Sequence, residues 1–172
     1  MKRVLVIGCP GSGKSMFSRA LHRITGLPLF HLDMMYWNAD RTTVDPSVFH
    51  DRLKSALQNE AWIIDGNYAS TMELRMQACD TIVFLDYPQE VCLAGIRERR
   101  GKVRPDMPWV EPENEEDEEF IAFVQSFRMQ NRPKIMQLLA RYGEKDIHVF
   151  EKRSQADAFL RQYKSTDSAR NG

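Results

Sequence analysis

Short, mostly apolar runs recur along this chain, separated by longer stretches in which apolar residues return every third or fourth position. The runs at 3–7, 29–32, 61–64, 81–85 and 147–150 predict five buried β-strands. The periodic stretches between them predict helices. One follows the first strand, over 16–24. Another opens at Asp45-Pro46, with Asp45 as N-cap, Pro46 in the first turn, and Phe49, Leu53, Ala56 and Leu57 as its apolar stripe. A third helix covers about 88–100 and a fourth 113–131, where Phe120, Phe123, Val124 and Phe127 share one face. Ile135, Leu138, Leu139 and Tyr142 repeat that spacing, and Gly143 follows as a C-cap. Ser154 is placed to cap a last helix whose inner face is Ala156, Phe159, Leu160 and Tyr163. Residues 165–172 are small and polar and read as a flexible tail. Strands alternating with helices predict an α/β fold: a five-stranded parallel sheet with helices on both faces, in one domain over 1–164.

The first strand-to-helix junction carries the clearest chemistry. Gly8-Cys9-Pro10-Gly11-Ser12-Gly13-Lys14-Ser15 fits G-x-x-x-x-G-K-[ST], a loop that wraps a polyphosphate. Its glycines let the backbone turn tightly around phosphate, and the following helix start offers unpaired N–H groups and partial positive charge. Lys14 can reach the β- and γ-phosphates, and the Ser15 hydroxyl can ligate Mg²⁺. The nucleotide-binding set is therefore Gly8, Pro10, Gly11, Ser12, Gly13, Lys14, Ser15 and Met16, with ATP and Mg²⁺ as the expected cofactors. Cys9, inside the loop and near Lys14, is expected to have a lowered thiol pKa, with an inert buried thiol as the alternative.

Asp33, Asp65 and Asp86 each follow an apolar run. In a parallel sheet all three lie on the edge that holds the phosphate loop. One or two can hold the waters of Mg²⁺, and one can orient or deprotonate an acceptor hydroxyl. Asp33, close to His31, Tyr36 and Trp37, and Asp65, followed by Gly66, have the more unusual neighbours. Asp86-Tyr87-Pro88 reads as a turn and helix start.

Residues 97–119 segregate charge. Arg97, Arg99, Arg100, Lys102 and Arg104 precede a run of acids from Glu111 to Glu119, with Pro105, Pro108 and Pro112 between. The basic half suits a lid over ATP phosphates, and the acids suit a solvated helix start. Arg128 and Arg132 can approach the same site from the next helix.

Composition narrows the partners. Lysine plus arginine and aspartate plus glutamate both number 24, so zero net charge offers no general attraction to nucleic acid or anionic membrane. No apolar run approaches membrane-spanning length, no signal peptide is recognisable, and Cys9, Cys79 and Cys92 form no C-x-x-C pair. A cytoplasmic protein with reduced thiols is expected, one that binds ATP and a small molecule and makes no direct contact with nucleic acid.

The set GCPGSGKS, FHLD, WIIDGNY, Arg75, CDTIVFLDYP, the arginine-rich helix end, RPD at 104–106 and EEFIAFVQSF resembles the DNA topology modulation (FlaR-like) proteins. These are similar to adenylate kinase and shikimate kinase among the P-loop kinases. The resemblance implies a nucleoside-monophosphate-kinase type of fold, a substrate-binding region at about 34–60, a lid at about 100–118 and ATP as donor. It places Asp65, Gly66 and Arg75 at the acceptor and Arg99 as the lid-helix arginine. Two departures stand out: Gly95 occupies a position often held by an arginine near the adenine, and Asn67-Tyr68 replace the Phe-Pro-Arg of adenylate kinase. The second argues against AMP as acceptor.

Together these readings predict a magnesium-dependent kinase of a small molecule. Lys14, Asp33, Asp65 and Arg99 are its catalytic candidates, Ser15 and Asp65 its metal ligands, and Arg99 and Arg104 its lid contacts to nucleotide. Asp33, Trp37, Gly66, Arg75, Arg128 and Arg132 are its acceptor contacts. The alternative is a nucleotide-dependent regulator linked indirectly to DNA topology. A GTPase is disfavoured because no N-K-x-D-type segment is present.

Overall fold

A computed structural model describes residues 1–114 and 117–168, the last five by backbone alone. Five strands alternate with helices: β1 (Arg3–Gly8), α1 (Lys14–Thr25), β2 (Leu29–His31), α2 (Leu32–Tyr36), α3 (Pro46–Leu57), β3 (Trp62–Asp65), α4 (Ala69–Ala78), β4 (Thr81–Leu85), α5 (Gln89–Arg99), α6 (Glu118–Gln130), α7 (Arg132–Arg141), β5 (Asp146–Phe150) and α8 (Arg153–Ser168). The strands form one parallel sheet in the order β2-β3-β1-β4-β5. β3 and β4 are buried along their whole length, as expected of central parallel strands covered on both faces. The chain leaves β1 towards β2 on one side and later builds β4 and β5 on the other. The order thus reverses at β1, the switch point beyond which ligands of open α/β sheets generally bind.

Side-chain packing explains the helices. Phe49, Leu53 and Ala56 of α3 are buried, and the Asp45 carboxylate accepts the Ser47 N–H at 2.8 Å, as an N-cap should. α8 lies on α1, where Phe17 meets Phe159 at 6.2 Å and Phe150 at 6.3 Å between ring centroids. α6 buries Val124 and Phe127, but Phe123 is 40% exposed.

Four local expectations are corrected. The fourth predicted helix starts at Glu118 rather than 113, because the Asp117 carboxylate captures the Phe120 N–H at 2.9 Å. Leu32 does not extend β2 but begins α2, a short helix absent from the periodicity. Gly143 does not take a left-handed C-cap conformation; α7 ends at Arg141, and its C-cap is Tyr142, whose N–H bonds to the Leu138 carbonyl. Ser154 lies within α8 and is not its cap. The Gln155 side chain instead accepts the N–H groups of Glu151 and Lys152, at 2.7 and 3.0 Å. The predicted tail begins within α8, and its end at 169–172 lies outside the described residues.

Candidate active site

The loop between β1 and α1 folds as its glycines allow. Gly13 is the N-cap of α1 at φ 89°, and no side chain caps the helix. The first turn carries no acid, so its N–H groups and partial positive charge stand unopposed. Lys14 Nζ donates to the carbonyls of Gly8 at 2.9 Å and Cys9 at 3.2 Å. Burial lowers the Lys14 pKa, against the raising charges of Asp33, Cys9 and Asp65. The Ser12 hydroxyl is buried and finds no partner among the described residues. Pro10 is half-buried at the loop's edge, and the Met16 side chain is 70% exposed, leaving only its backbone to the site.

Two partners hold the loop. Asn67 pairs with Gly8 in both directions: its side-chain nitrogen donates to Gly8 O at 2.7 Å, and its oxygen accepts Gly8 N–H at 3.1 Å. The other partner is α5, pressed so close that a Cβ on Gly95 would sit 2.1 Å from the Gly11 carbonyl oxygen. Gly95 is therefore required by the approach of two backbones, whatever surrounds the adenine. Gly95→Ala is expected to cost about 1–3 kcal/mol through overpacking and to weaken ATP binding by displacing the loop. Thermal unfolding and nucleotide titration check this; unchanged values in both would mean that the contact relaxes freely.

Cys9 departs from expectation. It is 5% exposed and hydrogen-bonded to Cys92, itself fully buried. That bond and burial raise its thiol pKa, outweighing Lys14. Cys9 is thus an inert thiol of the loop's core, and its labelling by a maleimide should require unfolding.

The carboxylates gather at the strand ends as parallel pairing demands. Register sets His31, Asp65 and Val6 side by side, and the His31 ring lies 2.8 Å from Asp65. Asp33, in the first turn of α2, accepts the Tyr68 hydroxyl at 2.7 Å. Burial raises the Asp33 pKa, against the lowering effects of Tyr68 and Lys14. Asp86 meets Arg132, whose Nε lies 2.9 and 2.8 Å from its two oxygens. This pair ties the end of β4 to α7 and occupies the Arg132 guanidinium with Asp86. Arg128 is exposed beside Cys9, Asp86 and Phe127, on the β4 side of the loop.

Arg75 is the largest correction. It is fully buried, and its guanidinium donates to backbone carbonyls alone: Thr71 at 3.2 Å, Gly66 at 2.7 Å, Tyr68 at 3.0 Å and also Asn67. Burial without a carboxylate partner pushes its pKa down to about 9. Arg75 therefore braces the loop after β3 from beneath, with its guanidinium spent on backbone carbonyls. Gly66, at φ 130°, packs on Leu32, where a Cβ would come within 2.8 Å of the Leu32 Cβ. The same loop carries Tyr68 in a left-handed conformation, φ 35°.

The segment from Arg99 to Glu111 is tied down by ion pairs and a ring contact. Arg99 pairs with Glu111 at 2.7 Å and Arg104 with Glu111 at 3.3 Å and Asp106 at 3.1 Å. Asp106 is 3% exposed and also binds Arg19 of α1 at 2.9 Å and the Ser15 hydroxyl. Burial would raise its pKa, but Arg104, Ser15 and Arg19 together hold it below the ordinary value. At the far end Trp109 meets Trp37 edge to face at 5.8 Å. Glu111 is thus an ion-pair partner of the arginines, not a solvated acid; Glu115 and Glu116 lie outside the described residues.

Sequence reasoning overlooked Asn67, Tyr68, Asp106 and Trp109. The first two directly follow Asp65-Gly66, and Asp106 ends the Arg-Pro-Asp segment, so position was the available signal.

No family model matches the chain, and no curated protein matches it. Among solved structures, shikimate kinase from Bacteroides thetaiotaomicron superposes with a TM-score of 0.57, covering 97% of this chain and 98% of the other at 19% identity. The chain thus has the α/β fold of a P-loop kinase, with a five-stranded parallel sheet. Among the described residues, no helix is long and apolar enough to cross a membrane.

Proposed function

We propose that this protein is an ATP-dependent kinase that phosphorylates a small molecule, with Mg²⁺ as cofactor. The observation that carries this reading is the uncapped, acid-free start of α1, with Lys14 beside it and the Asp33 carboxylate nearby. These residues fit a polyphosphate: the α1 N–H groups want an anion, and an unpaired Ser12 hydroxyl lies within the loop.

ATP with Mg²⁺ supplies the transferable phosphoryl group and the cation that neutralises it. Gly11 to Met16 would hold the phosphates through backbone N–H groups, and Lys14 would exchange the Gly8 and Cys9 carbonyls for phosphate oxygens. Ser15 would leave Asp106 to ligate the metal, and Asp65, with one oxygen on His31, would hold its water. Asp33 accepts the proton of the acceptor hydroxyl, a role suited to its raised pKa. Arg99 and Arg104 release Glu111 and Asp106 to meet the charge that develops on transfer. The likeness to DNA topology modulation proteins rests on sequence motifs and adds no chemistry to this scheme.

ATP–Mg²⁺ at a hundred times its Kd should stabilise the fold by about 2.7 kcal/mol, a Tm rise of roughly 5–10 °C. Lys14→Ala should abolish most ADP production with an unchanged far-UV spectrum. An unmoved Tm at saturating ATP–Mg²⁺ would sink the proposal.

A further inference from the structure

The sheet ends in an open edge at β5, which pairs with β4 alone. The Asp146 N–H donates to the Asp80 carbonyl at 3.1 Å, and the Phe150 carbonyl accepts the Asp86 N–H at 2.9 Å. Residues 146, 148 and 150 therefore spend their backbone groups on β4, and those of Ile147 and Val149 point outward. They take no partner among the described residues. Proteins commonly blunt such an edge with proline, an edge lysine, a bulge or a very short strand. The opposite edge, β2, has three residues and turns at once into α2. β5 uses none of these devices. Asp-Ile-His-Val-Phe carries neither proline nor lysine, and its register with β4 runs unbroken from Asp146 to Phe150.

Beside the edge lies an open groove of about 610 Å³, lined by Asp146, His148, Val149, Phe150, Phe159 and Tyr163. His148 meets Phe159 at 4.6 Å and Phe159 meets Tyr163 at 5.0 Å between ring centroids, which makes its floor aromatic. Ala158 and Gln162 of α8 stand exposed on its wall. The two ends of β5 differ in charge. Glu144 and Asp146 are exposed at its start, while the Lys145 ammonium is turned to the Gln77 and Cys79 carbonyls. Glu151, Lys152 and Arg153 are exposed at its finish and leave that end net positive.

We infer that β5 is the pairing edge of a homodimer, joined to β5 of a second copy in antiparallel register centred on His148. In that register Ile147 of each copy faces Val149 of the other, and the two exchange both backbone hydrogen bonds, as a closely spaced antiparallel pair requires. No other register centred within the strand uses the outward groups of both residues. The two-fold axis stands perpendicular to the sheet, so both copies of α8 lie on one face, and their exposed Ala158 and Gln162 close the groove from two sides. The strand ends then meet with opposite charge: the acidic start of one strand lies beside Lys152 and Arg153 of the other. β4 separates this surface from the phosphate loop, and the dimer does not depend on the kinase reading.

The test is the mass of the full chain in solution, by sedimentation velocity from about 1 to 100 μM. The expected species is a dimer, at twice the mass of one chain. Val149→Lys should weaken association at least about ten-fold, because a lysine on a free edge opposes strand pairing, and should leave the far-UV spectrum unchanged. Asp146→Lys should also weaken it, and adding Lys152→Glu should restore it, since the swap rebuilds opposite charges across the axis. An antiparallel contact between these ends gives that rescue, and a mere loss of folding does not. A monomer over the whole range, with the edge left to a strand of some other protein, overturns the proposal. So does a dimer that folded Val149→Lys leaves intact. If Val149→Lys unfolds, the charge swap decides alone, and a failed rescue overturns the proposal.

Discussion

Arg75→Met is expected to lose roughly 3–5 kcal/mol, a Tm fall of about 6–20 °C. Methionine fills much of the aliphatic volume, so the loss is not chiefly a cavity. It comes from the carbonyls of Gly66 and Asn67, which lose their donor inside the protein, whereas the Tyr68 carbonyl keeps the Thr71 N–H and hydroxyl. Lysine recovers only part, because one ammonium cannot copy a planar fork. The loop it braces carries Asn67, which holds Gly8, and Tyr68, which holds Asp33. Arg75→Met should therefore also raise the KM for ATP at a temperature where it remains folded. Denaturant unfolding with nucleotide titration reads both effects. A variant as stable as the parent would show that water satisfies those carbonyls and that the brace is dispensable.

Asp33→Asn should lower kcat by about 10²–10⁴ while leaving ATP binding nearly intact, because it removes the proton acceptor and not a phosphate contact. Its effect on stability has the opposite sign. Burial raises the folded pKa of Asp33 above its unfolded value, so the native state binds more protons between the two. The resulting stabilisation is present below the unfolded value and is lost as pH rises through the folded one. The ionised carboxylate is thus a liability at neutral pH, and Asp33→Asn should be at least as stable as the parent there. For the same reason the acid limb of kcat/KM should fall at a pH above the ordinary aspartate value. A kcat within about ten-fold of the parent would transfer the base role to Asp65.

Features that depend on neighbours in the chain were legible from the sequence. The strand over Thr81–Leu85, the Asp45-Pro46 helix start and the phosphate loop between β1 and α1 follow from apolar runs and local backbone chemistry. Parallel pairing then carries Asp33, Asp65 and Asp86 to one edge, because every parallel strand ends on the same side. Helix ends were less legible where several residues compete for one cap: Asp117 among a run of acids, Gln155 beside Ser154. Only the tertiary structure decided which partner each polar group takes. Arg75 looked like an acceptor contact, but nothing local says that it points inward to four carbonyls. Arg132 meets Asp86 across 46 positions and Asn67 meets Gly8 across 59. Trp109 reaches Trp37 because its segment is anchored through Asp106 on Arg19 of α1. A charged or aromatic side chain satisfies its chemistry equally well with many partners, so its sequence position limits what it can do, and packing selects which of those it does.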